Sequence, residues 1–357
     1  MSSNLNPLRI GDLEIKVPII QGGMGVRVST ASLASAVAKC GGAGTIASVA
    51  LGYGTKENET NFPKASREGL QKELRDCRAV TDGAIGVNIL VALSNYEDLA
   101  RVSARDGADF IISGAGLPLK LPEFTEGTSI KLIPIVSSAK AARIISKVWK
   151  KRYNRLPDAF VVEGPFAGGH LGFTGEQLRS HKENNLSEIV KDVLAISDDL
   201  EGDIPVIAAG GIFDGADIAH YLKLGAKGVQ MATRFVVTDE CSVADAFKQL
   251  YINATDDDVI VIDSPVGLPG RVIKTKFTDR MAAGERIPVR CGYRCLKVCN
   301  PAVAPYCIAK ALFDAVIGDL DNAVVFAGSN VSRVKEIVSV EELMNELAEE
   351  TIAALNK

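Results

Sequence analysis

A chain of 357 residues in which 47% are hydrophobic has the material for a large core, and that content excludes a disordered protein. A formal net charge of -4 leaves no basic footprint for nucleic acid, and no apolar run reaches the length of a membrane span. Seven unevenly spaced cysteines argue against a secreted disulfide framework, and no charged-then-apolar leader opens the sequence, so a cytoplasmic protein is expected.

In chain order, short β-branched runs alternate with longer helical patterns. Residues 17–24 form the first apolar run, broken at Gly22-Gly23, and Ser29 or Thr30 is placed to cap a helix through Cys40. Residues 43–48 read as the second strand; a polar loop over 52–63 leads to a charged amphipathic helix over 64–80. The third strand covers 84–90 with its helix over 95–106, and the fourth covers 109–116 with only a short helical turn behind it. The fifth runs over 130–138 with a helix over 139–150, and the sixth over 159–164. A helix over 187–198 precedes the seventh strand, 204–211, whose own helix over 214–224 is closed by Gly225. The eighth strand is 228–235, with a helix over 243–252.

Eight such alternations with buried-type strands predict an α/β protein of the (β/α)8 TIM-barrel type over residues 1–255. A doubly wound open sheet would place its phosphate loop after the first strand, whereas here glycine pairs recur at several strand ends. From about residue 256 the alternation fails. Residues 264–290 read as an extended loop, 301–317 as a helix begun by prolines and ended by Gly318, and 339–355 as a second helix. Residues 256–357 are therefore expected to form a loop-plus-helix extension packed over the barrel mouth.

The residues with chemistry gather at the predicted carboxyl ends of the strands, the face that carries active sites in this fold. They are Gly22-Gly23-Met24, Asn88, Gly114, Ser137, Glu163, Ala209-Gly210-Gly211 and Gln230-Met231-Ala232-Thr233. Gly210-Gly211, followed by a helix starting near Asp214, offers backbone N–H groups and a helix N-terminus to an anion. Met231-Ala232-Thr233 adds more N–H groups and a hydroxyl. After the sixth strand a glycine-rich loop, Gly164-Pro-Phe-Ala-Gly168-Gly169-His170, can approach a flat or anionic ligand closely. His170 is one of three histidines in the chain and the group in this loop able to exchange a proton near neutral pH. Glu163 is expected to be partly buried and to order the loop through backbone N–H groups rather than act as an acid. His181, His220, Trp149 and Tyr153 are expected in solvated or packing roles.

Cys291, Cys295, Cys299 and Cys307 are spaced C-x3-C-x3-C-x7-C. Four thiols so close could ligate zinc or an iron–sulfur cluster, but the spacing matches no common ligand pattern. If the segment is helical, the first three form one stripe of small core residues, so burial is favoured and no metal is expected. Tyr293 and Tyr306 are further pocket candidates.

Taken together, Gln21-Gly22-Gly23-Met24, Gly86-Val87-Asn88, Glu163 to His170, Pro205 to Gly211 and Gln230 to Phe235 resemble the nitronate monooxygenase (2-nitropropane dioxygenase) family. That family includes FMN-dependent enoyl-acyl-carrier-protein reductases and NADH:quinone reductases. The resemblance covers roughly residues 10–280. It implies non-covalent FMN, with Gly22, Gly23 and Met24 at the isoalloxazine and Asn88 at its polar edge. Gly168 and Gly169 would lie near the ring and ribityl chain; Gly210, Gly211, Met231, Ala232 and Thr233 would hold the phosphate. Glu163, Ala209 and Gln230 complete the implied cofactor contacts, and His170 matches the histidine placed over the flavin. The first reading is therefore oxidative denitrification of alkyl nitronates through flavin and O2. The alternative is an NAD(P)H-dependent reductase of enoyl thioesters or quinones, and a third is an FMN or phosphate-ligand binder without turnover. An IMP-dehydrogenase-like reading fails because the loop after the sixth strand carries His170 and no cysteine. The expected partner is a small-molecule substrate, with no nucleic acid and no membrane; a homodimer is left open.

Overall fold

The computed structural model describes residues 5–179, 185–200, 202–289, 291 and 294–357, so His181 and Tyr293 lie outside the described residues. Eight parallel strands form its centre: β1 (Ile19–Gln21), β2 (Gly44–Ala47), β3 (Ile85–Leu90), β4 (Phe110–Gly114), β5 (Lys131–Val136), β6 (Phe160–Glu163), β7 (Val206–Ala209) and β8 (Gly228–Met231). Their order around the sheet is β1-β8-β7-β6-β5-β4-β3-β2. The two ends meet through a parallel bridge between Ile20 and Ala43, where Gln21 N–H donates to the Ala43 carbonyl at 2.9 Å. The sheet is thereby closed into a (β/α)8 TIM barrel.

Both faces of each strand are covered, so the strands are near-continuous apolar runs. Ile20, Phe110, Ile112, Ile133, Val161 and Ile207 fill the interior, together with Leu8, Ile10 and Ile15. Those last three come from an antiparallel hairpin, Leu8–Ile10 with Leu13–Ile15. On the outside, Ile19, Val87, Ile111, Leu132, Val162 and Val206 join the core formed with the helices.

Local chemistry sets several of the helix starts. Asn61, Ser138 and Asn185 cap the helices Phe62–Arg78, Ala139–Tyr153 and Leu186–Asp198 with their side chains. The helix Ala31–Lys39 has Thr30 at its N-cap without a side-chain cap bond. The Glu73 carboxylate, brought in by the neighbouring helix, accepts from Ala31 N–H at 2.6 Å instead.

The C-terminal region corrects three expectations. Residues 264–290 are not one extended loop, since they contain a strand, Pro269–Ile273, and a helix, Lys276–Ala282. That strand pairs antiparallel with Val259–Asp263, with Val325–Phe326 and with the two-residue strand Gly169–His170. The helix expected over 301–317 is confined to Ile308–Val316, and Pro301 and Pro305 lie in the turns before it. The last helix, Val340–Leu355, does not cover the mouth. It packs in the outer ring against Gly215–Leu224 and Ala31–Lys39, where the eighth helix of a barrel belongs. Glu350 Oε2 accepts from Gly215 N–H at 2.9 Å, and Lys223 Nζ donates to the Ala354 carbonyl at 2.8 Å. The helix Asp245–Asn253, expected in that ring position, instead turns Phe247 and Tyr251 toward the barrel mouth. Among the described residues no helix is long and apolar enough to cross a membrane.

Candidate functional site

At the carboxyl ends of the strands lies a cleft with a cavity volume of about 230 Å³. The loop after β1 contributes Gly22, Gly23 and Met24, and β3 contributes Asn88. Glu163 and the loop that follows it add Gly168, Gly169 and His170; β7 and β8 add Ala209 to Gly211 and Gln230 to Thr233. All the residues expected to contact a catalytic or cofactor site are thus brought to one cleft. Gly114 and Ser137 are not among its lining. A Cβ at Gly114 would lie 2.9 Å from Ile135 Cδ1, so its small size serves packing between strands.

The first loop is held by a buried amide. Gln21 Nε2 donates to Ser29 Oγ at 2.8 Å and to the Gly22 carbonyl, while its Oε1 accepts from Thr45 N–H at 3.0 Å. Ser29 Oγ in turn accepts from Met24 N–H at 2.9 Å. Gly23 then passes so near Asn88 that an added Cβ would stand 2.4 Å from Asn88 Cβ. Across the cleft, Gly210 and Gly211 have φ of 92° and 85°, a backbone that side-chain-bearing residues rarely adopt.

The helix after β7 differs from expectation. Its N-terminal N–H groups are already satisfied: Asp214 and Asp217 form a reciprocal capping box, and Glu350 takes Gly215 N–H. Arg333 also pairs with Asp214 at 2.6 Å. Three carboxylates therefore stand where an anion was expected, which leaves the glycine pair and the turn at Ala232-Thr233 as the anion-facing backbone. Thr233 Oγ1 accepts from Gly328 N–H at 3.1 Å and retains its own proton to donate.

His170 lies on the short strand Gly169–His170, its Nε2 2.7 Å from Ser264 Oγ and its ring edge-on to Phe326 at 4.9 Å between centroids. Burial lowers its pKa to about 4, so the ring is neutral at physiological pH. Glu163 shows the opposite effect: burial of its carboxyl raises the pKa to about 8, and it holds its proton at neutral pH. Both residues keep some water contact through the cleft. No hydrogen bond from the Glu163 side chain to the loop is found among the described residues; Arg271 orders that loop. Its buried guanidinium donates to the Pro165 and Ala167 carbonyls at 2.6 and 2.5 Å.

Two buried polar atoms in the cleft wall have no protein partner, Gln230 Oε1 and Asn330 Nδ2. One is an acceptor and the other a donor, so the wall asks for a ligand that offers both. A flat heteroaromatic with a phosphate tail, such as FMN, fits this donor set, the close approach at Gly23 and the glycine pair. Ser264, Arg271, Phe326, Gly328 and Asn330 carried no sequence signal, because each is a single residue outside the barrel strands and only the fold of the C-terminal region brings it near the cleft. Tyr306 is buried against Phe277, its hydroxyl donating to the Asp263 carbonyl at 3.4 Å, and is not among the residues lining the cleft. Trp149 Nε1 donates to the Pro118 carbonyl in the outer ring, and His220 meets Ser187 Oγ at an exposed helix face.

A family model described as nitronate monooxygenase matches residues 6–106 and 92–350. The chain is 32% identical to the (3aS,4S,5R,7aS)-5-hydroxy-7a-methyl-1-oxo-octahydro-1H-indene-4-carboxyl-CoA dehydrogenase of Mycobacterium tuberculosis, over 76% of this chain and 67% of that protein. It is 26% identical to a probable nitronate monooxygenase of Staphylococcus saprophyticus, over 76% of this chain and 79% of the relative. Among solved structures, FabK from Thermotoga maritima superimposes with a TM-score of 0.72 at 28% identity, covering 96% of this chain and 94% of the other. The family model and the solved structure match almost the whole sequence and the relatives about three quarters of it, and the chain belongs to the nitronate monooxygenase family of oxidoreductases.

Proposed function

We propose that the protein is an FMN-dependent oxidoreductase that reduces the Cα=Cβ bond of an enoyl thioester at the expense of NAD(P)H. The observation that carries this reading is the character of the cleft wall. Leu90, Leu93, Leu296, Ile308, Leu312 and Val324 give it a long apolar side, and no lysine or arginine occurs among the described residues that line it. A nitronate is a small anion and would enter a low-dielectric site without a cationic partner, which is costly. A neutral acyl chain gains from the same surface. The name of the 32% identical relative, a carboxyl-CoA dehydrogenase, supports the thioester class.

FMN, when bound, would supply hydride transfer to the β-carbon. The net reaction adds a hydride from NAD(P)H and a proton from solvent across the double bond. Gln230 and Asn330 would meet the polar edges of the cofactor, and the Gly210-Gly211 backbone its phosphate. Protonated Glu163 places a hydrogen-bond donor in the cleft without setting a negative charge beside that phosphate. Neutral His170 is too weak a base to take a proton from carbon, and its role is orientation. With Nε2 engaged by Ser264, its other ring nitrogen remains for the thioester carbonyl.

The nitronate reading stays second, supported by the family match and by the histidine in the cleft. The two are separated by mixing the yellow protein anaerobically with NADH, NADPH and propyl-2-nitronate in turn. Bleaching by a nucleotide, followed by recovery of colour on adding octenoyl-CoA, is expected. Bleaching by nitronate and by neither nucleotide would overturn the enoyl reading.

A further inference from the structure

Outside the cleft, the chemistry-bearing feature left without a role is the cysteine segment. Cys291, Cys295, Cys299 and Cys307 are all free thiols, and all four line one small cavity of about 10 Å³, beside Arg294. Such a void has room for about one atom. The described residues 294–307 contain no helix, so Cys295 and Cys299 do not share the helical stripe that would make them ordinary core residues. Cys77 and Cys241 show what structural cysteines look like here: each is buried alone. Cys40 is a further single cysteine, half-buried, whereas Cys291, Cys295, Cys299 and Cys307 share one cavity, and apolar packing gains nothing from gathering four thiols at one point.

The segment is also fixed in place. Leu296 bridges antiparallel to Leu93, in the loop after β3. Ser94 N–H donates to the Cys295 carbonyl at 3.0 Å, and Lys297 N–H to the Ala92 carbonyl at 2.9 Å. Cys295, Leu296 and Ile308 line this small cavity and the large cleft alike, so the two share a wall. Arg294 supplies positive charge beside four groups that would carry negative charge once metallated.

We propose that Cys291, Cys295, Cys299 and Cys307 form a four-thiolate site for a thiophilic metal centre, zinc or an iron–sulfur cluster, built into the wall of the cleft. As placed, no three of these side chains are positioned to hold a metal ion together, and no other such group occurs among the described residues. Protonated thiols have no reason to converge. Metallation displaces their protons to solvent and draws the sulfurs to the metal by side-chain rotation. A zinc ion matches the void and would clamp the cleft wall, whereas a cluster is larger than the void and would require the segment to open around it.

The test is elemental and does not depend on turnover. The full chain is purified anaerobically and assayed for zinc, iron and acid-labile sulfide. About one zinc, or about four iron with matching sulfide, is expected per chain. Cys299→Ser with Cys307→Ser should lose that metal, whereas Cys77→Ala should keep it. Wild-type protein supplies a check that needs no variant: its four clustered thiols should resist alkylation until a chelator is added. Less than roughly a tenth of an equivalent of either metal, even after supplying zinc or iron with sulfide, would overturn the proposal. So would metal content unchanged in the double variant, or native thiols that alkylate equally with and without chelator.

Discussion

His170 and Glu163 stand in the same cleft, and burial moves their proton affinities in opposite directions, to about 4 and about 8. For the histidine, the unfolded chain binds a proton as pH falls through about 6.5 while the folded chain refuses it until about 4, so stability drops across that window. For the glutamate, the folded chain keeps a proton that the unfolded chain releases above about 4.5, so stability drops as pH rises toward 8. The two slopes oppose each other near pH 5 to 6, and above about 6.5 the glutamate acts alone. Glu163→Gln should therefore match the wild type in thermal stability at pH 5 and exceed it at pH 8, by on the order of 1–2 kcal/mol given the residual water contact. Melting curves at the two pH values check this, and an advantage that shrinks with rising pH would contradict it. Steric fit at Gly23 gives a second expectation. Gly23→Ala would place a methyl 2.4 Å from Asn88 Cβ, forcing the loop and the amide apart. FMN affinity, followed by flavin fluorescence, should fall roughly ten-fold or more, by the kind of misfit that costs about 1.4 kcal/mol. Unchanged affinity would remove the β1 loop from the cofactor site.

Among the elements, the last helix decides how the barrel is completed. Because Val340–Leu355 closes the outer ring rather than roofing the mouth, its apolar face bears on the core. Leu347 is fully buried there, and Leu347→Ala should cost about 2–4 kcal/mol in a urea titration while leaving FMN affinity nearly intact. A helix that roofed the mouth would show the reverse pattern. The barrel strands were legible in the sequence because two-sided burial makes each one a continuous apolar run ended by glycine or a polar residue. The ring-closing helix was legible as a helix but not in its place, since β8 is followed first by Asp245–Asn253, and nothing local says which helix takes the ring position. The strand Pro269–Ile273 was missed for a related reason. Its near partner, Val259–Asp263, was not read as a strand either, and its other partners, at His170 and Phe326, are remote in sequence, so its short pattern resembled a basic, glycine-rich loop. The cleft residues at strand ends could be read because the fold fixes where strand ends point. Asn330 in the wall and Arg271, which orders the His170 loop, could not, because only the folded C-terminal region brings them into place.

For the whole molecule, the cleft is a joint product of barrel and C-terminal region, and that shared construction makes a substrate prediction. Leu90 and Leu93 come from the end of β3 and its loop, while Leu296, Ile308, Leu312 and Val324 come from beyond the barrel strands. An acyl chain threaded between them would bury its methylenes one after another, each worth about 0.8 kcal/mol, or roughly four-fold in binding. If that binding is realised in the transition state, kcat/KM should climb from butenoyl- to hexenoyl- to octenoyl-CoA and level off once the wall is covered. Leu312→Trp should bring the plateau to a shorter chain without altering the rate at which NAD(P)H reduces the flavin, because the indole would occupy acyl space. The series is read by following NAD(P)H consumption with each thioester. A response flat in chain length, in a protein whose flavin is still reduced by the nucleotide, would mean that the apolar wall serves a substrate of another shape.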